Sequence, residues 1–380
     1  MSSEYRKIMV VAGEASGDLH AASLVEALRR LDPTIRFYGV GGEKLREAGV
    51  NLLADSADMA VIGLTEVFLK LPLILKVMRK LKRSFDEEKP VAAILVDYPD
   101  FNLRLAQAAH KRGIKVFYYI SPQVWAWRKG RIRTIRAVVD KMAVILPFEA
   151  SFYREAGVDA VFVGHPLLDA IPEHSSREEA SKKLGLREGI QTVSILPGSR
   201  RSEVTRLLPV CLEAAGKMQK NADLQFVMPL ANTLSQDFVE KIIRRYKVDI
   251  SVIPHAIYDV LAAADLAIVA SGTATLETAL LKTPMIIIYK VSWLSSILGR
   301  ILIHVKHIGL ANIIAGKTIV PELIQSEANP ASIAALAEEL LNNRDKREAM
   351  QGELSKIKDK LGTPGAAERA ARLAYDMLNG

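Results

Sequence analysis

Short apolar runs, bounded by Gly, Pro, Asp or Ser, alternate along the chain with longer stretches of mixed polarity. In the first half they are Ile8–Ala12, Phe37–Val40, Val91–Val96, Val116–Ile120, Val144–Leu146 and Val161–Val163. In the second they are Thr192–Leu196, Leu224–Met228, Ser251–Ile253, Leu266–Ala270 and Met285–Tyr289. Runs this short and this uniformly apolar read as strands buried on both faces, as a parallel sheet requires. Between them the pattern turns helical, as in Leu19–Leu31, the segment from Phe101, Ala331–Leu341 and Gly365–Leu378. The alternation predicts an α/β fold of two doubly wound parallel-sheet domains, Rossmann-like, facing each other across a cleft. The expected boundaries are 1–170 for the first domain, a polar linker at 171–190, and 191–360 for the second. Residues 361–380 form a last helix packing back on an N-terminal domain, its own or a partner's.

Proline shapes two of the expected helices. Pro72 fits a first helical turn, followed by an apolar stripe of Leu73, Val77, Met78 and Leu81 and a basic face of Lys76, Arg79, Lys80, Lys82 and Arg83. Such a helix packs on a core, or lies on a membrane surface with Leu69, Leu73 and Val77 toward acyl chains and Lys76, Arg79 and Lys80 toward headgroups. Pro209 implies a short turn from Ser202 and a main helix from about Pro209 to Met218. Trp293–Ile303 is a further apolar stretch with no assigned partner.

A chain of 380 residues exceeds one ordinary core, which agrees with two domains. Its 49% hydrophobic and 25% charged residues describe a globular protein rather than a disordered one. A net charge of +8 favours an acidic partner, whether nucleic acid, an anionic membrane or a phosphorylated substrate, without choosing among them. The one cysteine, Cys211, excludes an internal disulfide and a multi-cysteine metal site. With no secretory h-region and no long uncharged apolar span, the expected location is cytoplasmic, with contact to a membrane surface left open.

Candidate chemistry gathers at the strand-to-helix junctions. At Leu196-Pro197-Gly198-Ser199-Arg200 a glycine turn opens a helix, so backbone N–H groups, the helix dipole and the Arg200 fork converge on a site for an anion such as a diphosphate. A second junction, Ser271-Gly272-Thr273-Ala274-Thr275-Leu276-Glu277, sets a carboxylate in the first helical turn. Glu277 is not explained by a capping box, because Ala274 stands where Ser or Thr is needed. A carboxylate beside an anion turn is suited to a ribose diol. A third junction, Gly13 to Asp18, lacks the G-x-G-x-x-G spacing, so no dinucleotide cofactor is implied. There Gly13 and Gly17 read as close packing, and Ser16 as facing the cleft. Asp97 and Asp100 both follow the strand Val91–Val96. Capping explains Asp100, which leaves Asp97 as the catalytic candidate. The aromatic and basic run Trp125 to Arg136 matches no nucleic-acid motif, and no carboxylate pair has metal-ligand spacing.

These segments resemble the lipid-A-disaccharide synthase family of inverting glycosyltransferases. They are Val11–Asp18, Asp97–Phe101, Ser121–Trp127, Leu146–Glu149, Gly164-His165-Pro166, Leu196–Arg200, Ala270–Glu277, Asn312 and Ala315–Lys317, in order along nearly the whole chain. The resemblance implies a GT-B fold and transfer from UDP-2,3-diacylglucosamine to 2,3-diacylglucosamine 1-phosphate, giving a β-1,6 disaccharide and UDP. It implies a donor site at Gly198, Ser199, Arg200, Ser271, Gly272, Thr273, Glu277 and Asn312, and a cleft or acceptor side at Ser16, Gly17, Asp18 and His165. Asp97 would be the general base. No cofactor or metal is implied, and a homodimer stays open. Tyr98 stands where a small residue is expected. A UDP-sugar epimerase or another UDP-sugar transferase on the same fold is the alternative.

Overall fold

The computed structural model describes residues 5–59, 64–125, 130–171, 176–290 and 306–380, with side chains described for all of these except 15, 58 and 64–70. Two compact units emerge: residues 1–169 with 361–380, and residues 170–360. The first contains β1 (Lys7–Ala12), β2 (Arg36–Gly41), β3 (Asn51–Asp55), β4 (Ala92–Val96), β5 (Lys115–Tyr119), β6 (Lys141–Val144) and β7 (Ala160–Phe162). They lie in the order β3-β2-β1-β4-β5-β6-β7, and every pairing is parallel. The second contains β8 (Gln191–Leu196), β9 (Leu224–Leu230), β10 (Ile250–Pro254), β11 (Leu266–Ala270), β12 (Met285–Tyr289) and β13 (Glu322–Ile324). Their order is β10-β9-β8-β11-β12-β13, again all parallel.

The uniform apolarity of the strands follows from this layering. Along β1, Met9 and Val11 enter one core while Ile8, Val10 and Ala12 enter the other, so neither face tolerates a polar residue. In each sheet the strand order reverses direction once, between β1 and β4 and between β8 and β11. The crevice beyond the strand ends at such a reversal is where open α/β sheets bind ligands.

Several elements depart from the sequence expectation. Pro72 lies inside the helix Leu64–Glu88, and Pro209 inside the helix Arg201–Met218. An interior proline costs about 3 kcal/mol. Around Pro209 that cost is offset by one continuous buried face, including Val204, Leu207, Leu208, Cys211 and Leu212. β6 ends at Val144 rather than beginning there. β3 and β13 escape the apolar pattern because their positions are only half-buried or exposed, as edge strands allow. The stretch expected as a linker contains a helix, Arg177–Lys183. A reciprocal Ser176–Glu179 capping box starts it, and Lys183 pairs with Asp259 at 2.6 Å. The last helix, Ala366–Asn379, packs on the helix Ala15–Leu31 of the same chain, burying Ala370, Ala371 and Ala374. Arg369 Nε donates to Val163 O at 2.8 Å. Trp293–Ile303 lies outside the described residues.

Candidate active site

In the second unit, both glycine turns project from the two strands that flank the reversal, β8 and β11. Gly198 has φ +112°, and a Cβ there would come within 2.5 Å of Glu203 Oε2, so this turn admits only glycine. Arg200 is the N-cap of the helix Arg201–Met218, with its side chain exposed. Two of the turn's N–H groups, expected from the sequence to be free, are instead held by Glu203. Glu203 Oε2 accepts from Ser199 N at 3.1 Å and Arg200 N at 3.2 Å, and Oε1 meets Arg200 Nη1 at 3.2 Å. A carboxylate thus already occupies the anion position at the helix start.

After β11, Gly272 caps the helix Thr273–Leu280, and Gly272 and Thr273 are exposed. Ser271 Oγ donates to Ile308 O at 2.8 Å. Glu277 sits one turn further into the helix than expected, beyond the reach of a cap. Burial raises its carboxyl above the ordinary value, while a hydrogen bond from Tyr258 Oη at 3.3 Å works in the opposite sense. Tyr258, which has no sequence signature, is pushed up to about 12 by burial and then by the Glu277 charge. Asn312 stands just before β13. It is fully buried, donating to Val320 O and Glu322 Oε1 at 2.8 Å each and accepting from Ile319 N and Val320 N at 2.8 and 3.0 Å. Its side chain holds the turn before β13, with both amide hydrogens and the oxygen in hydrogen bonds.

In the first unit, Asp97 follows β4 and the Gly13–Asp18 junction follows β1, again on the two sides of the reversal. Asp97 and Tyr98 both have φ +48°, and the helix Pro99–His110 begins at once. Asp100 does not cap that helix. Tyr98 is its N-cap, and Asp100 lies in the first turn, where it pairs with Arg131. Ser16 is exposed in the first turn of Ala15–Leu31, and Gly17 is buried against Ala12. Asp18 is 4% exposed and accepts from the N–H groups of Gly42, Lys44 and Leu45 at 2.6, 2.9 and 3.3 Å. That holds the start of the helix Glu43–Glu47. His165 is also buried. Its Nδ1 accepts from Leu167 N at 3.2 Å, and burial with the neighbouring His20 lowers it to about 3, so it is neutral at ordinary pH.

Sequence reasoning noticed Glu149 only as part of a motif. The structure buries it completely at the ends of β5 and β6. Oε1 accepts from Ser121 Oγ at 2.8 Å and Trp125 Nε1 at 3.0 Å, and Oε2 from Leu146 N at 3.1 Å. Tyr153 Oη donates to Pro122 O at 2.6 Å, and Trp125 meets Phe148 edge-on at 5.0 Å. The helix Glu149–Glu155 therefore clamps the segment Ser121–Trp125.

On the basic helix, Val77, Met78 and Leu81 belong to the core, so Val77 is not an outward-facing residue. Leu71, Leu73 and Leu75 are exposed beside Lys76, Arg79 and Lys80. Leu69 lies outside the described side chains. Among the described residues no helix is long and apolar enough to cross a membrane, and no acidic, His or Cys group is arranged to hold a metal.

The fold is shared with proteins of known structure. Staphylococcus aureus MnaA, solved with UDP, superposes with a TM-score of 0.66 at 15% identity over 98% of this chain and 97% of that one. Acinetobacter baumannii MurG gives 0.61 at 15% identity over 98% and 99%. This is the GT-B class of glycosyltransferases and related epimerases. Within it, the family model described as lipid-A-disaccharide synthetase matches residues 8–374. The lipid-A-disaccharide synthases of Syntrophus aciditrophicus and Geobacter sulfurreducens are 60% and 47% identical to this chain, each over 98% of it and 97% of the relative. The chain belongs to the lipid-A-disaccharide synthetase family, and it is a glycosyltransferase.

Proposed function

We propose that the second unit binds UDP-2,3-diacylglucosamine and the first presents 2,3-diacylglucosamine 1-phosphate, whose 6-hydroxyl displaces UDP with inversion to form the β-1,6 disaccharide. The observation that carries this reading is the paired placement of chemistry. Two glycine turns flank the reversal of one sheet, and a carboxylate sits at the reversal of the other. Arg200 stabilises the charge that builds on the departing diphosphate. Glu203 holds two of the turn's N–H groups, so binding exchanges a carboxylate for a phosphate there. Glu277 accepts from the ribose hydroxyls. Asp97 removes the proton from the acceptor hydroxyl, a contribution of about 10²–10⁴-fold. Arg200→Ala and Glu277→Ala each remove charge-assisted hydrogen bonds and weaken UDP binding about 10- to 150-fold. Calorimetry with UDP tests this, and unchanged affinity in folded variants overturns the donor assignment.

Membrane attachment belongs to the same proposal. Both substrates carry acyl chains, and exposed Leu71, Leu73 and Leu75 beside a basic face supply apolar contact and attraction to anionic headgroups.

A further inference from the structure

The main chain at Asp97 adopts a conformation that its own residues do not favour. Asp97 N still donates to Tyr119 O at 3.1 Å, the last rung between β4 and β5, yet Asp97 and Tyr98 both turn to φ +48°. Two successive non-glycine residues in the left-handed region persist only where the surroundings over-determine them. Here the surroundings are two buried side chains that converge on one oxygen. Asp97 O accepts from Tyr118 Oη at 2.6 Å and from Asn102 Nδ2 at 2.8 Å, and the same Nδ2 reaches Val96 O at 3.2 Å. Tyr118 and Asn102 are both 0% exposed. Asn102 Oδ1 has no hydrogen-bond partner among the described residues. Turning the amide over would aim that oxygen at the two carbonyls, so the orphan acceptor is the consequence of keeping both carbonyls held.

We infer that Asn102 and Tyr118 are positioning residues for the reaction, fixing the Asp97 peptide and thereby the direction in which its carboxylate leaves the end of β4. This rests on the reading of Asp97 as the base. Tyr118 reaches the turn from the neighbouring strand, where it stands opposite Leu95, and Asn102 from the helix that follows. The carbonyl is therefore pinned from two elements. With either donor gone the peptide can rotate toward an unstrained conformation and carry the carboxylate with it. A misplacement of about 1 Å at a reacting group costs up to about 10²-fold in rate.

The test uses the full-length protein with both substrates, comparing Tyr118→Phe, Asn102→Ala and Asp97→Asn for kcat, acceptor KM, UDP affinity and thermal melting. Tyr118→Phe removes one hydroxyl and should lower kcat about 10- to 100-fold while UDP affinity and acceptor KM stay within about twofold. Asp97→Asn/Tyr118→Phe should be no slower than Asp97→Asn alone, since the hydroxyl acts only through Asp97. A Tyr118→Phe protein with parental kcat, or a double variant slower by the full product of the two losses, overturns the inference. If Asn102→Ala fails to fold, Tyr118→Phe decides alone. Near-normal turnover by Asp97→Asn removes the base itself. An inactive Asp97→Asn beside an unaffected Tyr118→Phe removes only the positioning role.

Discussion

The ring of Tyr98 lies on the Cα of Gly13. A Cβ built on Gly13 would stand 2.4 Å from two of the ring's atoms, closer than any real contact. The junction after β1 and the turn after β4 are therefore locked together at the reversal of the first sheet. Tyr98 Oη also donates to Met59 O at 3.3 Å, and its ring meets Phe101 at 5.6 Å. The bulky residue that looked out of place in the sequence is accommodated because its neighbour across the reversal has no side chain.

Gly13→Ala should destabilise the protein by about 1–3 kcal/mol through overpacking. Adding Tyr98→Ala should recover part of that loss, because the ring the new methyl strikes is gone. A double-mutant cycle in urea measures the coupling. Strictly additive losses would show that the two residues do not press on each other.

Glu149 gives a prediction in pH. Burial raises its carboxyl from 4.5 to about 7, against the opposing hydrogen bonds from Ser121, Trp125 and the Leu146 and Ile145 N–H groups. A group whose folded value is raised favours folding most below its unfolded value, and that contribution is lost as pH climbs through the folded value. Parental stability measured against Glu149→Gln should therefore fall between pH 4.5 and about 7, by up to about 3 kcal/mol. Urea titrations across that range provide the measurement, and parallel pH profiles would contradict it.

Much of the sheet architecture was legible in the sequence, because strands buried on both faces leave a signal that needs no context. Edge strands β3 and β13 left none, since partial burial permits polar residues. The charged helix Arg344–Lys360 was equally silent, burying only Met350, Leu354 and Ile357. At the site, the sequence located the turns but not the partners inside them. Asn312 accepting from Val320 N and Asp18 accepting from Gly42 N are side-chain-to-backbone contacts between residues whose spacing follows no rule. Glu203 reaches back to Ser199 N and Arg200 N from a helix whose N-cap is Arg200 rather than Ser or Thr. Pro209 misled for a related reason. A local cost predicted a break that the buried face of a long helix overrode.

Attachment to anionic membranes should depend on the helix around Lys76. Each basic residue near such a surface contributes about 1 kcal/mol, so changing Lys76, Arg79, Lys80 and Arg83 to Gln should release the protein at moderate salt. Co-sedimentation with vesicles containing phosphatidylserine reads this directly. Binding that survives the four changes, or ignores salt, would place the attachment elsewhere.

The central claim is that this chain joins two acylated sugars rather than rearranging one. The direct measurement is to incubate the purified protein with UDP-2,3-diacylglucosamine, with and without 2,3-diacylglucosamine 1-phosphate, and to follow UDP and the acylated products. UDP and a disaccharide phosphate should appear together, in equal amounts, and only when the acceptor is present. Conversion of the donor to another UDP-sugar, or release of free sugar without the acceptor, would contradict the account.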